Sequence, residues 1–195
     1  ALNMNISGII LAGGQSLRMG GKDKGLVPYQ GQAMVSGVLE GFEGAKELWL
    51  NSNTSKEDYQ ALGFKVFPDA NLPDIGERAG PLLGILSGLQ IANEDWVLFS
   101  PCDTPQLPNN YLKIMSQTAS DRLAKACVVH DGQRRQNLHL LLHKSLSEDL
   151  LMFLLSGKRK TYQWLDKIGV VDVDFSKQAE GFNNYNTPAD FIEQA

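Results

Sequence analysis

The sequence predicts an α/β fold with a mostly parallel central sheet that is covered by helices on both faces. Short apolar runs, typical of buried strands, alternate along the chain with longer stretches whose apolar residues recur at helical spacing. This alternation is typical of parallel sheets, because a helix usually connects one parallel strand to the next. The chain of 195 residues suits one domain with a substantial core, so we expect residues 1–195 to form a single domain.

The order of elements follows from the position of these runs. Strands are predicted at residues 6–11, 47–51, 65–67, 96–100, 125–130, 139–142 and 170–175. Helices are predicted at residues 33–42, 56–62, 82–92, 109–116, 147–156, 161–165 and 188–194. Gly37 and Gly41 weaken the first helix, each by about 1 kcal/mol relative to alanine. Residues 71–80 are rich in proline, glycine and charge, which predicts a mobile surface loop.

Composition excludes several classes of protein. The formal net charge is -4 and no long basic run occurs, which argues against duplex nucleic acid as a partner. Cys102 and Cys127 lie in apolar stretches without metal-type spacing, as in a reduced cytoplasmic protein. No apolar stretch approaches the roughly 18 residues of a membrane span, and no secretion signal is visible at the start. We therefore expect a cytoplasmic protein without a membrane partner.

A glycine-rich turn directly follows the first apolar run. It consists of Leu11, Ala12, Gly13 and Gly14. Glycines allow a backbone to turn its N–H groups toward an anion and to approach it closely. Arg18 and Lys24 add full positive charge nearby, which a turn of purely structural purpose would not require. The segment therefore predicts a site for the phosphates of a nucleotide.

The two commonest nucleotide-binding loops do not account for this segment. A Walker A loop needs the pattern G-x-x-x-x-G-K-[ST]. Around Gly21-Lys22, however, Ser16 stands where the first glycine is needed and Asp23 where Ser or Thr is needed. A dinucleotide fingerprint needs G-x-G-x-x-G, and Gly13-Gly14-Gln15 breaks that spacing. A different class of nucleotide site is therefore indicated.

The segment from Leu11 to Lys24, in which L-A-G-G-x-S-x-R-M-G is followed by Asp23-Lys24, resembles the signature of the molybdenum cofactor guanylyltransferase (MobA) family. The resemblance extends from Gly8 to about Pro105. It implies a three-layer α/β/α Rossmann-like nucleotidyltransferase fold, with nucleotide contacts from the turn at 11–14 and catalytic roles for Arg18 and Lys24. It also implies that the N-terminal half binds the nucleotide and the C-terminal half binds molybdopterin.

Further polar residues follow the predicted strands, where ligands of open α/β sheets bind. Asp103 would be either a Mg²⁺ ligand or a helix N-cap, and its position alone leaves both open. The resemblance of Pro101-Cys102-Asp103-Thr104-Pro105 to the family's metal-binding segment implies Mg²⁺, with Mn²⁺ as an alternative. Asn51 and Asp69 would by themselves be turn or cap residues, but the resemblance implies that they contact the nucleotide and read the edge of guanine.

The second half of the chain carries weaker signals. Asn184 and Asn186 fit an Asx-type turn, and they equally resemble a family segment that helps to place metal or phosphates. Arg159 and Lys160 belong to a basic cluster that would be either a solvated face or a counter-charge for the phosphate of the second substrate. The family's proline after the segment equivalent to 131–133 is missing, which leaves pterin recognition open. The histidines lack metal-type spacing and are expected to be surface or core residues.

The resemblance implies a reaction in which GMP is transferred from GTP to the terminal phosphate of molybdopterin and pyrophosphate is released. A cytidylyltransferase for the same cofactor, or another nucleotidyltransferase, is the main alternative. Those relatives usually carry L-A-A-G, so Gly13 favours guanine. A carrier without turnover is disfavoured, because Arg18, Lys24 and Asp103 would serve to activate a leaving group. The implied partners are GTP, the molybdenum cofactor, and proteins that deliver the cofactor or accept it.

Overall fold

Strands and helices alternate along the chain. A computed structural model describes residues 4–13, 23–76 and 79–185. The strands are β1 (Ile6–Leu11), β2 (Pro28–Tyr29), β3 (Gln32–Ala33), β4 (Glu47–Asn51), β5 (Lys65–Phe67), β6 (Trp96–Pro101), β7 (Ala126–His130), β8 (Arg135–His143) and β9 (Val171–Asp174). The α-helices are α1 (Lys56–Ala61), α2 (Pro81–Ile91), α3 (Tyr111–Arg122), α4 (Ser147–Leu155) and α5 (Thr161–Ile168). Short 3₁₀ helices lie at Lys24–Leu26, Met34–Phe42, Lys144–Leu146 and Ser176–Phe182.

A mostly parallel sheet forms the centre of the molecule. Within the described residues it has seven strands in the order β5-β4-β1-β6-β8-β7-β9. Strand β8 runs antiparallel to both of its neighbours, and the other pairs are parallel. The chain reverses between β7 and β8, so β8 needs no crossover helix. The carboxyl ends of β1, β4, β5 and β6 consequently lie along one edge of the sheet, which we call the carboxyl edge.

Two apolar cores lie on opposite faces of the sheet, because consecutive side chains of a strand point to opposite faces. Ile9 of β1 packs into one core with Leu86 of α2, and Ile10 packs into the other with Tyr111 of α3. Helices α4 and α5 contribute to the first core, and the 3₁₀ helix Met34–Phe42 contributes to the second. This confirms the predicted three-layer α/β/α fold. No helix in the described ranges is long and apolar enough to span a membrane.

The predicted elements are confirmed with a few differences. The helix predicted at 33–42 is a 3₁₀ helix, and a side chain at Gly37 would collide with Pro105, so this glycine permits close packing. Helix α3 continues past residue 116 to Arg122, and β8 begins before residue 139. The sequence did not predict the β2–β3 hairpin, whose turn residues Gln30 and Gly31 have φ of 49° and 82°. The helix predicted at 188–194 lies outside the described residues.

A β-bulge in β8 directs His139 into the core. Val128 pairs with Leu140 but Val129 pairs with Gln136, so residues 137–139 are extra on β8. His139 is 1% exposed, and the distance between its Nε2 and Thr104 Oγ1 is 3.2 Å. Burial lowers the pKa of His139 from 6.5 to about 3. The histidine is therefore a core residue that is neutral near pH 7.

Replacing His139 with glutamine should flatten the acid side of the stability profile. The unfolded state of the parent protein takes up the His139 proton near pH 6.5, whereas the folded state takes it up only near pH 3. Stability is therefore lost as the pH falls through this window, by about 1.4 kcal/mol per pH unit in its middle. Urea unfolding of both proteins at several pH values between these limits measures the difference. Parallel profiles for parent and variant would contradict the assignment.

Candidate active site

Those residues predicted to contact a nucleotide that the structure describes converge at the carboxyl edge. Strand β1 is flanked by β4 and β6, and Leu11 is in register with both Asn51 and Pro101. Backbone pairing continues past the strand ends, since Ala12 N donates to Asn51 O at 2.8 Å and Cys102 N donates to Leu11 O at 3.1 Å. The start of the glycine-rich turn therefore lies between the end of β4 and the segment that carries Asp103.

Asn51 is held in a narrow space at the end of β4. Its side-chain Nδ2 donates to Asp69 Oδ1 at 3.0 Å and to the Phe67 carbonyl at 3.4 Å, and the residue is 2% exposed. A Cβ atom at Gly13 would lie 3.3 Å from Asn51 Oδ1, and one at Gly84 would lie 2.6 Å from it. The absence of a side chain at Gly84 therefore makes room for Asn51. Asn51 ends a strand and is not a turn residue.

Asp69 is fixed by contacts on both sides of its backbone. Its backbone N donates to Asn53 Oδ1 at 2.8 Å, and its Oδ2 accepts from Asn53 Nδ2 at 3.0 Å. The next amide, Ala70 N, donates to Ser87 Oγ at 2.8 Å, and Ser87 Oγ donates to the Leu83 carbonyl at 2.7 Å. Asp69 caps no helix, because the N-cap of the following helix is Gly80. The carboxylate is thus pre-oriented at the carboxyl edge.

Lys24 and Asp103 form an ion pair. Lys24 Nζ lies 3.5 Å from Asp103 Oδ2, and the side chains are 21% and 13% exposed. Burial raises the pKa of Asp103, and the Lys24 ammonium opposes this rise. Asp103 is not an N-cap, since the helix after it begins at Tyr111 with Asn110 as its N-cap. The pair brings together two of the residues to which the sequence assigns catalysis.

A second buried carboxylate lies beside Lys24 in the chain. Asp23 is 1% exposed, and its Oδ2 accepts a hydrogen bond from Thr54 Oγ1 at 2.8 Å. Its Oδ1 is buried without a hydrogen-bond partner in the described part of the chain. Asp23 therefore connects the segment that carries Lys24 to the loop between β4 and α1. The sequence motif contains this aspartate, but its spacing gives no sign of a structural role.

The C-terminal segment contacts the strand end that carries Asp103. Tyr185 N donates to the Asp103 carbonyl at 3.1 Å, and the Tyr185 ring packs on Tyr29 with 5.0 Å between ring centroids. Tyr29 belongs to the hairpin, and Gln106 Nε2 donates to its hydroxyl at 2.8 Å. The exposed Asn184 directly precedes Tyr185 in the chain, so this contact holds Asn184 close to Asp103 in space. Three predicted residues, Gly14, Arg18 and Asn186, lie outside the described residues.

Arg159 and Lys160, the basic pair of the C-terminal half, lie in different environments. Arg159 donates through its guanidinium to the carbonyls of Leu154 at 2.7 Å, Lys158 at 2.7 Å and Ile75 at 2.9 Å. It therefore ties the α4–α5 connection to the loop that follows β5. The exposed Lys160 holds its ammonium 5.9 Å from the centroid of the Tyr162 ring. A role of either residue in binding the second substrate stays a prediction.

The fold and this edge together define a nucleotidyltransferase-type α/β protein. A family model described as the MobA-like NTP transferase domain matches residues 8–171. A molybdenum cofactor guanylyltransferase from Yersinia pseudotuberculosis (serotype O:1b, strain IP 31758) is 39% identical over 187 residues, which cover 95% of this chain and 93% of the relative. The chain therefore belongs to the MobA-like NTP transferase family, and it is a nucleotidyltransferase. The resemblance seen in the sequence is confirmed.

Solved structures of other proteins share the fold. Molybdopterin-guanine dinucleotide biosynthesis protein A from Archaeoglobus fulgidus superimposes with a TM-score of 0.76 at 20% identity, covering 96% of each chain. 4-Diphosphocytidyl-2C-methyl-D-erythritol synthase from Anaerococcus prevotii superimposes with a TM-score of 0.69 at 15% identity, covering 98% of this chain and 94% of the other. The same architecture therefore occurs in proteins named for different nucleotides.

Gly84→Ala should weaken nucleotide binding by displacing Asn51. The new Cβ would lie 2.6 Å from Asn51 Oδ1, so the amide must move out of its contact with Asp69. We expect nucleotide affinity to fall about tenfold, the effect of losing one well-placed polar contact. Calorimetric titration with GTP measures this loss.

Gly88→Ala is the matched control for this variant. Gly88 lies one turn later on the same face of α2, and its added Cβ would press on the Phe99 ring at 2.8 Å, away from Asn51. Both variants should lose roughly 1–3 kcal/mol of stability by overpacking. Equal loss of GTP affinity in both would show that the effect comes from the helix and not from Asn51.

Proposed function

We propose that this chain transfers GMP from GTP to the terminal phosphate of molybdopterin, forms the guanine dinucleotide of the molybdenum cofactor and releases pyrophosphate. The observation that carries the proposal is the Lys24–Asp103 ion pair beside the Asn51–Asp69 pair at one carboxyl edge. The first pair suits a polyphosphate and the second suits a nucleobase. The name of the relative from Yersinia pseudotuberculosis supports GTP and the molybdenum cofactor as substrates.

The chemistry of the transfer requires positioning and charge neutralisation more than covalent help from the protein. A phosphate oxygen of molybdopterin forms a bond to the α-phosphorus of GTP, and the bond from that phosphorus to the β-phosphate bridging oxygen breaks. The attacking phosphate is already ionised near neutral pH, so no general base is needed. Lys24 and Arg18 would stabilise the charge that develops on the α-phosphate and on the departing pyrophosphate.

Asp103 fits a role as the protein ligand of Mg²⁺, with Mn²⁺ as an alternative. Mg²⁺ commonly binds one or two carboxylates together with substrate phosphates and waters. A single, largely buried carboxylate whose charge is balanced by Lys24 meets this requirement. Residues 4–13, 23–76 and 79–185 contain no group of three or more His, Cys, Asp or Glu that could hold a metal by itself. When bound, the ion would neutralise phosphate charge and hold the geometry of the phosphates.

The base and the acceptor would occupy different parts of the same edge. Asp69 and Asn51 would recognise the donors and the acceptor of the guanine edge, and the backbone at Leu11, Ala12, Gly13 and Gly14 would approach the nucleotide. We assign the C-terminal half to molybdopterin, because Asn184 is held near Asp103 and the exposed Lys160 would attract its phosphate. The cytidylyltransferase alternative is not favoured, since Gly13 and the named relative both point to guanine.

Asp103→Asn should reduce turnover about a hundredfold, the loss typical of one preorganised electrostatic group. It should leave GTP affinity without Mg²⁺ nearly unchanged, because the removed charge acts through the metal. The exposed Asp121→Asn serves as the control for loss of a carboxylate elsewhere. Steady-state rates over a Mg²⁺ titration, with either ion, test the assignment. Parent-like rates at low Mg²⁺ would remove Asp103 from the metal site.

The nucleotide preference tests the function as a whole. With molybdopterin as acceptor, we expect turnover with GTP to exceed turnover with ATP and CTP by a large factor, because a wrong base leaves buried polar groups unpaired. The same assay with Lys160→Ala should show a raised KM for molybdopterin and an unchanged KM for GTP. Equal use of CTP would instead indicate a cytidylyltransferase.

A further inference from the structure

We propose that Asn53 is a specificity-determining positioning residue, which orients the Asp69 carboxylate for recognition of a guanine edge. The inference rests on the proposed function, because it concerns how Asp69 recognises the base. The sequence drew attention to Asn51 and Asp69 but not to Asn53, which comes two residues after the end of β4.

Asn53 and Asp69 form a reciprocal pair. The amide oxygen of Asn53 accepts from the Asp69 backbone N at 2.8 Å, and the amide nitrogen of Asn53 donates to Asp69 Oδ2 at 3.0 Å. One side chain therefore fixes both the backbone and the carboxylate of Asp69. Asn51 Nδ2 holds the other carboxylate oxygen at 3.0 Å. The carboxylate is thus held between two asparagines, one from the strand end and one from the loop.

The loop that carries Asn53 is itself constrained. Ser52 Oγ donates to the Thr54 carbonyl at 2.7 Å and accepts from Thr54 N at 3.2 Å, which forms a tight turn around Asn53. Thr54 Oγ1 then donates to the buried carboxylate of Asp23 at 2.8 Å. Asn53 is exposed, but its backbone is anchored on both sides. It is therefore placed as a rigid support and not as a mobile surface residue.

This arrangement leaves Asp69 free to accept two more hydrogen bonds. An ionised carboxylate offers about four acceptor positions, and each oxygen of Asp69 takes one side-chain donor. The remaining positions, one on each oxygen, suit two adjacent donors such as guanine N1–H and the 2-amino group. Without Asn53 the carboxylate could rotate and its paired acceptors would no longer face both donors together. The structure therefore assigns to Asn53 an effect on selectivity for the 2-amino group.

Calorimetric titrations with GTP and with ITP, which lacks the 2-amino group, test this assignment on the full chain with Mg²⁺. The parent protein should bind GTP about tenfold more tightly than ITP, the value of one paired donor. In Asn53→Ala the ratio should fall to about one, mainly through weaker GTP binding, while kcat at saturating GTP changes less than about twofold. Asn53→Asp should bind GTP more weakly still, because it places a second carboxylate beside Asp69.

Two further variants distinguish the role of Asn53 from recognition of the base by Asp69. Asn109→Ala removes an exposed asparagine elsewhere and should behave like the parent. A parent-like GTP-to-ITP ratio in Asn53→Ala overturns the inference. If Asp69→Ala loses the ratio in that case, guanine recognition by Asp69 stands and only the role of Asn53 fails. If Asp69→Ala also keeps the ratio, recognition of the base by Asp69 fails as well.

Discussion

The close approach of α2 to the end of β4 is the constraint on which the site depends. Gly84 faces the Asn51 amide so closely that an added methyl group would lie 2.6 Å from Oδ1. That approach confines Asn51 to one position, where its Nδ2 reaches Asp69. A residue that is 2% exposed has few alternative rotamers once a helix packs on it. The geometry of the site is therefore set by packing of the core, and the hydrogen bond from Asn51 to Asp69 follows from that packing.

Charge at the same edge is balanced by close pairing. Taking a carboxylate out of water is costly unless a cation or several donors compensate it. Lys24 compensates Asp103 directly, and Thr54 supplies one donor to the buried Asp23. Removal of Lys24 would leave the largely buried Asp103 without the cation that balances its charge, so this lysine has a structural role beside the catalytic role that we propose for it.

The parts of the site that lie on strand ends could be predicted from the sequence. Apolar runs locate strands, and polar residues after parallel strands meet at one edge, which groups Asn51, Asp69 and Asp103. Their assignment to the nucleotide and to a metal depended on the resemblance to the family. Asn53 and Gly84 were not found, because their roles depend on contacts across 16 residues or more between a loop, a strand end and a helix. No local pattern encodes such contacts. The motif itself was the signal for Lys24 and the turn at 11–13.

In the C-terminal half, the topology of the sheet could likewise be predicted from the sequence only in part. Its strand β8 was predicted, but neither its antiparallel direction nor its bulge has a signature in the sequence. The bulge directs His139 toward Thr104, directly after Asp103 in the chain. Tyr185 contacts the Asp103 carbonyl from the C-terminal segment.

Asp103 is consequently held by both halves of the chain. Asp103 follows β6, which belongs to the half with the nucleotide motif. From the other half, Tyr185 donates to the carbonyl of Asp103, and His139 contacts the next residue, Thr104. A transfer between two substrates needs their reacting phosphates within bonding reach of each other. In the reaction that we propose, a residue supported from both sides would be the meeting point for a nucleotide bound by one half and an acceptor bound by the other. The start of β8 lies beside the end of β6, and its bulge there places His139 against Thr104.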